Sequence, residues 1–382
     1  MEHNVICAQY CISVIRAVMQ EKTVPAIPET LSLQALFAFA KEHGVEALVF
    51  HGLSMLPQDE TDPVWQTWEN RAQMLLTQSI VQLAERDVLI EDLTAAGMEI
   101  LPVKGAWLKE AYPQIDFRQM SDLDILIHRE NRNFARSKML EMGFVEEITE
   151  DSSPHHDCYE KKPYTAVELH LQLLPSGSGY DSYYDHIWER TVPAEGNDRL
   201  RKLPPEDEYI FCLLHMKKHM EECGCGIRNL LDSAVYRDIW PELDKSYLEA
   251  EYRKLGILEY VHQVEALADC WFVTGEEIPE ALQPMAENVL WAGIYGNLDN
   301  AFRLRTEALK EKYKNPVVVQ IVYWTSRFFR PLEEMKFWYP ILEKLPVLLP
   351  VFWIMRILGK LIRKPQALLH HVQQVKEGSK RG

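Results

Sequence analysis

In the stretch Ser121-Asp122-Leu123-Asp124-Ile125-Leu126-Ile127, acidic and aliphatic residues alternate. Successive side chains of a β-strand point to opposite faces of its sheet, so Asp122 and Asp124 share one face while Leu123 and the two isoleucines share the other. The aliphatic set suits a hydrophobic core, and the acidic set suits a metal ion. This stretch therefore predicts a strand with one core-facing side and one side that carries chemistry.

A second stretch, Val167-Glu168-Leu169-His170, repeats the alternation, with Glu168 and His170 on one side. If the two strands are neighbours, Asp122, Asp124 and Glu168 converge. Three carboxylates at one edge of a sheet repel one another and raise each other's pKa unless a cation compensates them. Oxygen ligands suit a hard ion, so the sequence predicts a Mg2+ site, with Mn2+ as the alternative ion.

The surroundings of these stretches resemble the nucleotidyltransferase superfamily of DNA polymerase beta type. That superfamily has a strand, a Gly-containing turn into a helix, a second strand with D-x-D or D-x-E, and a third carboxylate on a later strand. Met98–Val103 corresponds to the first strand, Gly105 to the turn and Ala106–Tyr112 to the helix. The resemblance implies that the acidic residues of the two stretches fill the three carboxylate positions.

A closer resemblance is to a little-characterised bacterial nucleotidyltransferase family with a Lys-Gly turn, and it covers about Glu99 to Leu174. It rests on an ordered run of motifs: Lys104-Gly105, Arg118, Asp122-x-Asp124 and Glu168-x-His170. The resemblance implies transfer of a nucleoside monophosphate from a nucleoside triphosphate to a hydroxyl acceptor. In that reaction Asp122 and Asp124 hold the metal, and Glu168 completes the metal site or takes the proton of the acceptor.

The resemblance also implies nucleotide-binding roles around the carboxylates. Gly105 lets the backbone approach the phosphates, and Lys104 and Arg118 offer positive charge to phosphate oxygens. His170 orients a neighbouring group or contacts the acceptor. The superfamily turn usually has Ser after its Gly, whereas this chain has Ala106, so a phosphate-contacting hydroxyl is missing and the charge of Lys104 is the candidate replacement.

Composition places the chain among globular proteins. With 47% hydrophobic and 26% charged residues, 382 residues are enough for two or three domains with their own cores. The net charge of −16 argues against an extended nucleic-acid partner, because phosphate binding needs a basic face, while a single nucleotide arriving with magnesium stays compatible. The N-terminus lacks the basic region of a secretory signal, and seven cysteines fit reduced thiols, so we expect a cytoplasmic protein.

Patterning divides the chain into four predicted regions. Residues 1–95 form an N-terminal helical region, 96–200 an α+β nucleotidyltransferase-like core, 201–330 a helical domain, and 331–382 an apolar and basic C-terminal segment with a tail. The predicted fold class is α+β: a small mixed sheet flanked by N-terminal and C-terminal helical regions. We expect helices on one face of the sheet, which leaves the acidic face open to a ligand.

Residues 345–364 combine an apolar run with basic positions at its end. The run is too short, and too interrupted by Pro346 and Pro350, to span a bilayer, which needs about 20 apolar residues. Two interpretations stay open. The segment is either a buried C-terminal helix or an amphipathic helix that contacts the membrane surface and makes the protein membrane-peripheral.

Two alternatives compete with nucleotidyl transfer. A non-catalytic nucleotide-binding or scaffold protein is favoured by the missing hydroxyl and opposed by the intact carboxylates. A metal-dependent phosphohydrolase would use the pairs His155-His156 and His215-His219 and prefer manganese or iron. No motif identifies the base of the nucleotide or the acceptor, which the resemblance allows to be a protein hydroxyl, a sugar or a small alcohol.

Overall fold

The computed structural model describes residues 2–57, 59–147, 155–174, 179–294, 296, 306, 309–310, 312–339 and 341–363. The chain forms two compact units, one with the described residues up to Gly296 and one with those from Thr306 onward. The N-terminal helices, the sheet and the helices that follow it all belong to the first unit, a grouping that the sequence left open.

A mixed sheet lies at the centre of the first unit. Its strands among the described residues are β1 (Ile100–Val103), β2 (Leu123–Ile127), β3 (Val145–Glu147), β4 (His156–Lys161), β5 (Thr165–His170), β6 (Val192–Ala194) and β7 (Asn197–Lys202). Their spatial order is β3-β4-β5-β2-β1-β7-β6. Strand β2 runs antiparallel to β1 and parallel to β5. The predicted α+β class, with a mixed sheet between helical regions, is confirmed.

The hairpin of β6 and β7 was not predicted. Strand β7 joins the sheet beside β1, where Ile100 pairs with Leu200. Its sequence, Asn197–Lys202, is mostly charged and stays half exposed or exposed. A strand at this end of the sheet needs little apolar surface, so the alternation that revealed β2 and β5 is absent from its sequence.

Helices surround the sheet. In the first unit they are α1 (Glu2–Met19), α2 (Leu33–Glu42), α3 (Glu46–Ser54), α4 (Pro63–Ala95), α5 (Gly105–Leu108), α6 (Arg132–Glu141), α7 (Ile187–Arg190), α8 (Pro205–Glu222), α9 (Ile227–Ile239), α10 (Lys245–Leu255), α11 (Leu258–Ala268) and α12 (Gln283–Ala292). The longest, α4, starts where Asp62 accepts a hydrogen bond from the N–H of Val64 at 2.7 Å and Pro63 fits the first helical turn.

Both faces of the sheet are covered by helices, so the expectation of helices on one face is wrong. On one face, Ile125 packs with Leu89 of α4 and Met139 of α6 in a hydrophobic core. On the other face, Leu126 belongs to a larger core with Leu213 of α8. The acidic face is therefore only partly open, because Leu126, which lies on the same face as the acidic residues, belongs to this larger core.

The second unit contains α13 (Pro316–Phe328), α14 (Leu332–Trp338), α15 (Ile341–Lys344) and α16 (Leu349–Arg363). Five apolar residues on or just before α16 are at least half exposed: Val347 77%, Val351 50%, Ile354 58%, Met355 53% and Leu358 52%. Phe352 and Trp353 of the same helix are half-buried, so α16 is covered on one side and is not a fully buried helix, while Lys364 lies outside the described residues. None of the described helices has both the length and the apolar composition that a membrane crossing requires.

Candidate active site

Two of the acidic residues, Asp124 and Glu168, lie in one row of paired residues that crosses four neighbouring strands. The row consists of successive Cα partners: Cys158 of β4, Glu168 of β5, Asp124 of β2 and Val103 of β1. Neighbouring strands are about 4.8 Å apart, so side chains at paired positions on one face are in reach of each other. The row brings Asp124 and Glu168 together and places Lys104, which follows Val103, at its end.

His170 connects the two carboxylates. Its Nε2 lies 2.8 Å from Asp124 Oδ1 and 3.2 Å from Glu168 Oε2. Burial alone would lower the pKa of His170, but its hydrogen bonds to Asp124 and Glu168 raise that pKa above its usual value. One donor atom from each of the three residues lies within 4.8 Å of the others, so this group could hold a metal ion.

Lys104 supplies positive charge beside Asp124, with Nζ 2.9 Å from Oδ1. Burial acts to raise the pKa of Asp124, but the Lys104 ammonium and the hydrogen bond from His170 hold that pKa well below its usual range. Burial also acts to raise the pKa of Glu168, which the hydrogen bond from His170 and the charge of His156 hold below its usual value. Both carboxylates are therefore ionised at neutral pH.

Asp122 lies just before β2, and its Oδ1 accepts a hydrogen bond from Ser121 Oγ at 2.7 Å. Burial and the negative charges of Asp124 and Glu168 raise the pKa of Asp122 from 3.8 to about 6. The expectation that the carboxylates raise one another's pKa is therefore right for Asp122 and wrong for the other two, because a lysine and a histidine neutralise those two.

The backbone of Lys104 adopts an unusual conformation, with φ +53° and ψ −121° at the turn between β1 and α5. A residue with a Cβ rarely has a positive φ, and strain of this kind costs about 1–3 kcal/mol. The same conformation accompanies a side chain directed at Asp124. The strained backbone therefore coincides with the contact between the Lys104 ammonium and Asp124.

Gly105 is required by packing within the turn. A Cβ there would lie 2.5 Å from Arg118 Nη1 and 2.8 Å from Met120 Sδ. Arg118 is buried, and its Nε and Nη2 donate to the two carboxylate oxygens of Asp232 on α9, at 2.8 and 2.9 Å. The guanidinium fork that the sequence assigned to phosphate is thus engaged by Asp232, and the group that Gly105 accommodates is this arginine.

Ala106 does not face the carboxylates. It is fully buried in the core that contains Ile125, on the opposite face of the sheet. Its carbonyl oxygen accepts a hydrogen bond from Arg86 Nη1 at 2.6 Å. A hydroxyl on the side chain at position 106 would enter this core, so the departure from the superfamily pattern removes no group from the acidic face.

Two histidines of α8 extend the site beyond Lys104. His215 Nε2 lies 3.1 Å from Lys104 Nζ, and His219 Nε2 lies 3.1 Å from His215 Nε2. Burial lowers the pKa of His215 well below its usual value and that of His219 to about 4, so both rings are neutral. Their four-residue spacing predicted a shared helix face, but no sequence signal connects His215 to a lysine 111 positions away.

Strand β4 adds donors that the sequence alone did not reveal. The sequence motifs do not include Cys158, and they include His156 only as part of the pair His155-His156. His156 Nε2 lies 3.8 Å from Glu168 Oε1, and donor atoms of His156, Cys158 and Glu168 all lie within 4.8 Å of one another. The available signal was the His156-x-Cys158 spacing, which matches that of Asp122-x-Asp124. The hairpin register, which the sequence does not give, places Cys158 opposite Glu168.

Comparison with known proteins gives one result. A family model described as "Uncharacterised nucleotidyltransferase" matches residues 30–273, more than half of the chain. No curated protein and no solved structure matches the chain. The matched range includes the whole sheet and every residue of the acidic site from Lys104 to His219.

Proposed function

Because the chain belongs to the uncharacterised nucleotidyltransferase family, we propose that it uses a divalent metal ion to transfer a nucleoside monophosphate from a nucleoside triphosphate to a hydroxyl acceptor. The observation that carries this proposal is the pairing of Asp124 with Glu168 on adjacent parallel strands, with the Lys104 ammonium beside them. The proposed acceptor is a protein hydroxyl, a sugar or another small alcohol.

The carboxylates fit a hard divalent ion. Donor atoms of Asp124, Glu168 and His170 lie within 4.8 Å of one another, and the raised pKa of Asp122, which is not in that group, reflects burial together with the negative charges of Asp124 and Glu168. Asp122 and Asp124 would hold Mg2+, or Mn2+ as the alternative, and Glu168 would complete the set. When bound, the ion supplies positive charge that balances the triphosphate and the departing pyrophosphate.

We assign to Lys104 the binding of a phosphate oxygen. An ammonium group has three donors, and those of Lys104 have Asp124 Oδ1 at 2.9 Å and His215 Nε2 at 3.1 Å as partners, which leaves a third for phosphate. In this proposal Arg118 does not contact the phosphates directly. It positions the turn at Gly105 while Asp232 holds its fork.

Glu168 is the more accessible of the two paired carboxylates, because its side chain is 27% exposed whereas that of Asp124 is 7% exposed. We assign to Glu168 the removal of the acceptor proton as the acceptor oxygen bonds to the α-phosphorus and the bond to pyrophosphate breaks. His170 orients Glu168 and Asp124 through its hydrogen bonds to both. The non-catalytic scaffold alternative rested on the missing hydroxyl at position 106, and that argument loses its force because Ala106 faces the opposite core.

The exposed apolar side chains of α16 support a second proposal, contact of residues 345–364 with a membrane surface. Val351, Ile354 and Leu358 lie three and four positions apart on α16 and therefore share a helical stripe. Sedimentation with anionic lipid vesicles should recover the wild-type chain and lose a Val351→Asp, Ile354→Asp variant. Equal recovery of the two proteins would reject this contact.

The transfer proposal is tested by calorimetric titration of ATP, GTP, CTP and UTP with and without Mg2+. We expect magnesium-dependent binding of at least one nucleotide by the wild type and its loss in an Asp122→Asn, Asp124→Asn double variant. The matched control is an Asp198→Asn, Asp238→Asn double variant, which changes the net charge equally at two exposed positions. Failure of the folded wild type to bind any of the four nucleotides would reject the proposal and favour the scaffold alternative.

A further inference from the structure

The hairpin of β4 and β5 carries a second group of donors next to the acidic row. In its antiparallel register Cys158 lies opposite Glu168, and His156 lies opposite His170. His156 and Cys158 are two residues apart on one strand, so both point to the face that carries Glu168. One face of the hairpin therefore presents a thiol, two imidazoles and a carboxylate.

The geometry of three of these side chains suits a metal ion. One donor atom each from His156, Cys158 and Glu168 lies within 4.8 Å of the others. The side chains of His156 and Glu168 are 21% and 27% exposed, so an ion and its water can enter without local unfolding. Among the described residues, Cys158 is the one cysteine that belongs to such a group.

The chemistry of this donor set differs from that of the acidic row. A thiolate with an imidazole and one carboxylate matches the ligands of zinc, which binds three protein side chains and keeps a fourth position for water in open sites. Magnesium binds oxygen and does not favour sulfur. We propose that His156, Cys158 and Glu168 form a site for a thiophilic divalent cation of the zinc class, separate from the Mg2+ site but sharing Glu168 with it.

Binding at this site exchanges one bond for another. The S–H bond of Cys158 breaks, a sulfur–metal bond forms, and the proton passes to solvent, so neither oxidant nor reductant is needed. Because Glu168 belongs to both donor sets, an ion held by His156 and Cys158 takes this carboxylate away from the acidic row. Zinc would then inhibit magnesium-dependent nucleotide binding, a consequence that rests on the proposed function.

The site is tested with Co2+ as a spectroscopic probe and with a chromophoric chelator that competes for Zn2+. We expect wild-type protein loaded with Co2+ to show a sulfur-to-cobalt charge-transfer band that is lost in Cys158→Ser. Loss of a ligand should weaken Zn2+ binding by more than about 100-fold, since even residues that only hydrogen-bond to metal ligands contribute about 10–100-fold to metal affinity. His156→Gln and Glu168→Gln should each weaken Zn2+ binding as well.

Three controls distinguish this site from metal binding elsewhere on the chain. Cys270→Ser, at a partly exposed cysteine outside the group, should keep both the band and the Zn2+ affinity. The Asp122→Asn, Asp124→Asn double variant should also keep them, because the site does not use those aspartates. Melting curves without metal show whether Cys158→Ser is folded, and His156→Gln gives an independent test if it is not. A band or a Zn2+ affinity that survives in folded Cys158→Ser would overturn the assignment.

Nucleotide binding in the presence of Zn2+ tests the shared carboxylate. We expect Zn2+ to weaken magnesium-dependent nucleotide binding in the wild type and to have little effect in Cys158→Ser. Binding that Zn2+ leaves unchanged, in a protein that shows the cobalt band, would overturn the sharing of Glu168. Absence of nucleotide binding before zinc is added would instead reject the proposed transfer function, while the cobalt band would still report the thiolate site.

Discussion

The two faces of β2 are equally buried but are stabilised in different ways. On one face, Ile125 and Ile127 lie in a hydrocarbon core, where full burial of such a side chain contributes about 1.5–3 kcal/mol. On the other face, Asp124 is 5% exposed, and its charge is tolerated because Lys104 and His170 lie within hydrogen-bonding distance. One face gains stability from packing alone, whereas the other depends on a few compensating charges.

The largest effect is expected from removal of the compensating charge. Lys104→Met leaves the Asp124 carboxylate buried without its ammonium partner, and loss of one member of a buried ion pair typically costs about 3–5 kcal/mol. We therefore expect the free energy of unfolding at neutral pH, measured by urea denaturation, to fall by about that amount. A variant as stable as the wild type would show that Lys104 does not balance Asp124.

Two further variants separate charge from backbone in this test. Asp124→Asn in the Lys104→Met background removes the carboxylate that has lost its ammonium partner and should restore most of the lost stability, as a double-mutant cycle would measure. Lys104→Gly should be more stable than Lys104→Ala by about 1 kcal/mol, because glycine adopts the positive φ without strain. Equal stability of the glycine and alanine variants would contradict the strained turn.

The contrast between the two faces also explains what the sequence could reveal. Alternation within β2 and β5 is local, so both strands and the convergence of Asp124 with Glu168 follow from it once the strands are neighbours. Arg118 and Asp232 are 114 positions apart, and no local pattern links them. The same is true of the contact between Lys104 and α8.

Other parts of the site were missed because they depend on register or backbone geometry. The donors of β4 reach Glu168 through a hairpin register that the sequence does not specify. From residue type, the positive φ of this turn is expected at Gly105. The structure has it one position earlier, at Lys104. The direction of Ala106 depends on that turn, so the sequence does not show on which face of the sheet a serine at this position would lie.

A smaller effect is expected from Asp122, which has no comparable counter-charge. Its pKa is raised from 3.8 to about 6 in the folded protein, mainly by burial and then by Asp124 and Glu168. Between these values Asp122 binds more protons in the folded state than in the unfolded state, so its contribution to stability falls as pH rises through this window, whereas His215 and His219, whose pKa is lowered by burial, contribute a rise. Asp122→Asn should remove that fall and stabilise the protein at neutral pH by about 1–3 kcal/mol.

Urea denaturation at about pH 4 and about pH 6 measures this effect. Over that interval His170 contributes little change, because its raised pKa places the loss of its stabilising charge above its ordinary value of 6.5. Asp198→Asn, at an exposed position of β7, is the matched control and should keep the wild-type pH dependence. A wild-type slope that persists in Asp122→Asn would assign the titration to another group.

The smallest effect is expected at Ala106, where the addition of one oxygen atom tests on which face of the sheet the side chain lies. If the side chain at 106 lies in the core with Ile125, a serine there places its hydroxyl among hydrocarbon groups and not beside a phosphate. Ala106→Ser should then lower the free energy of unfolding by about 1–2 kcal/mol, the cost of burying a partly satisfied hydroxyl. Nucleotide affinity, measured by calorimetry with Mg2+, should change by less than about twofold, which corresponds to a few tenths of a kcal/mol. A tenfold gain in affinity without loss of stability would place the hydroxyl on the acidic face, and the turn would then supply phosphate contacts through its side chains as well as through Lys104.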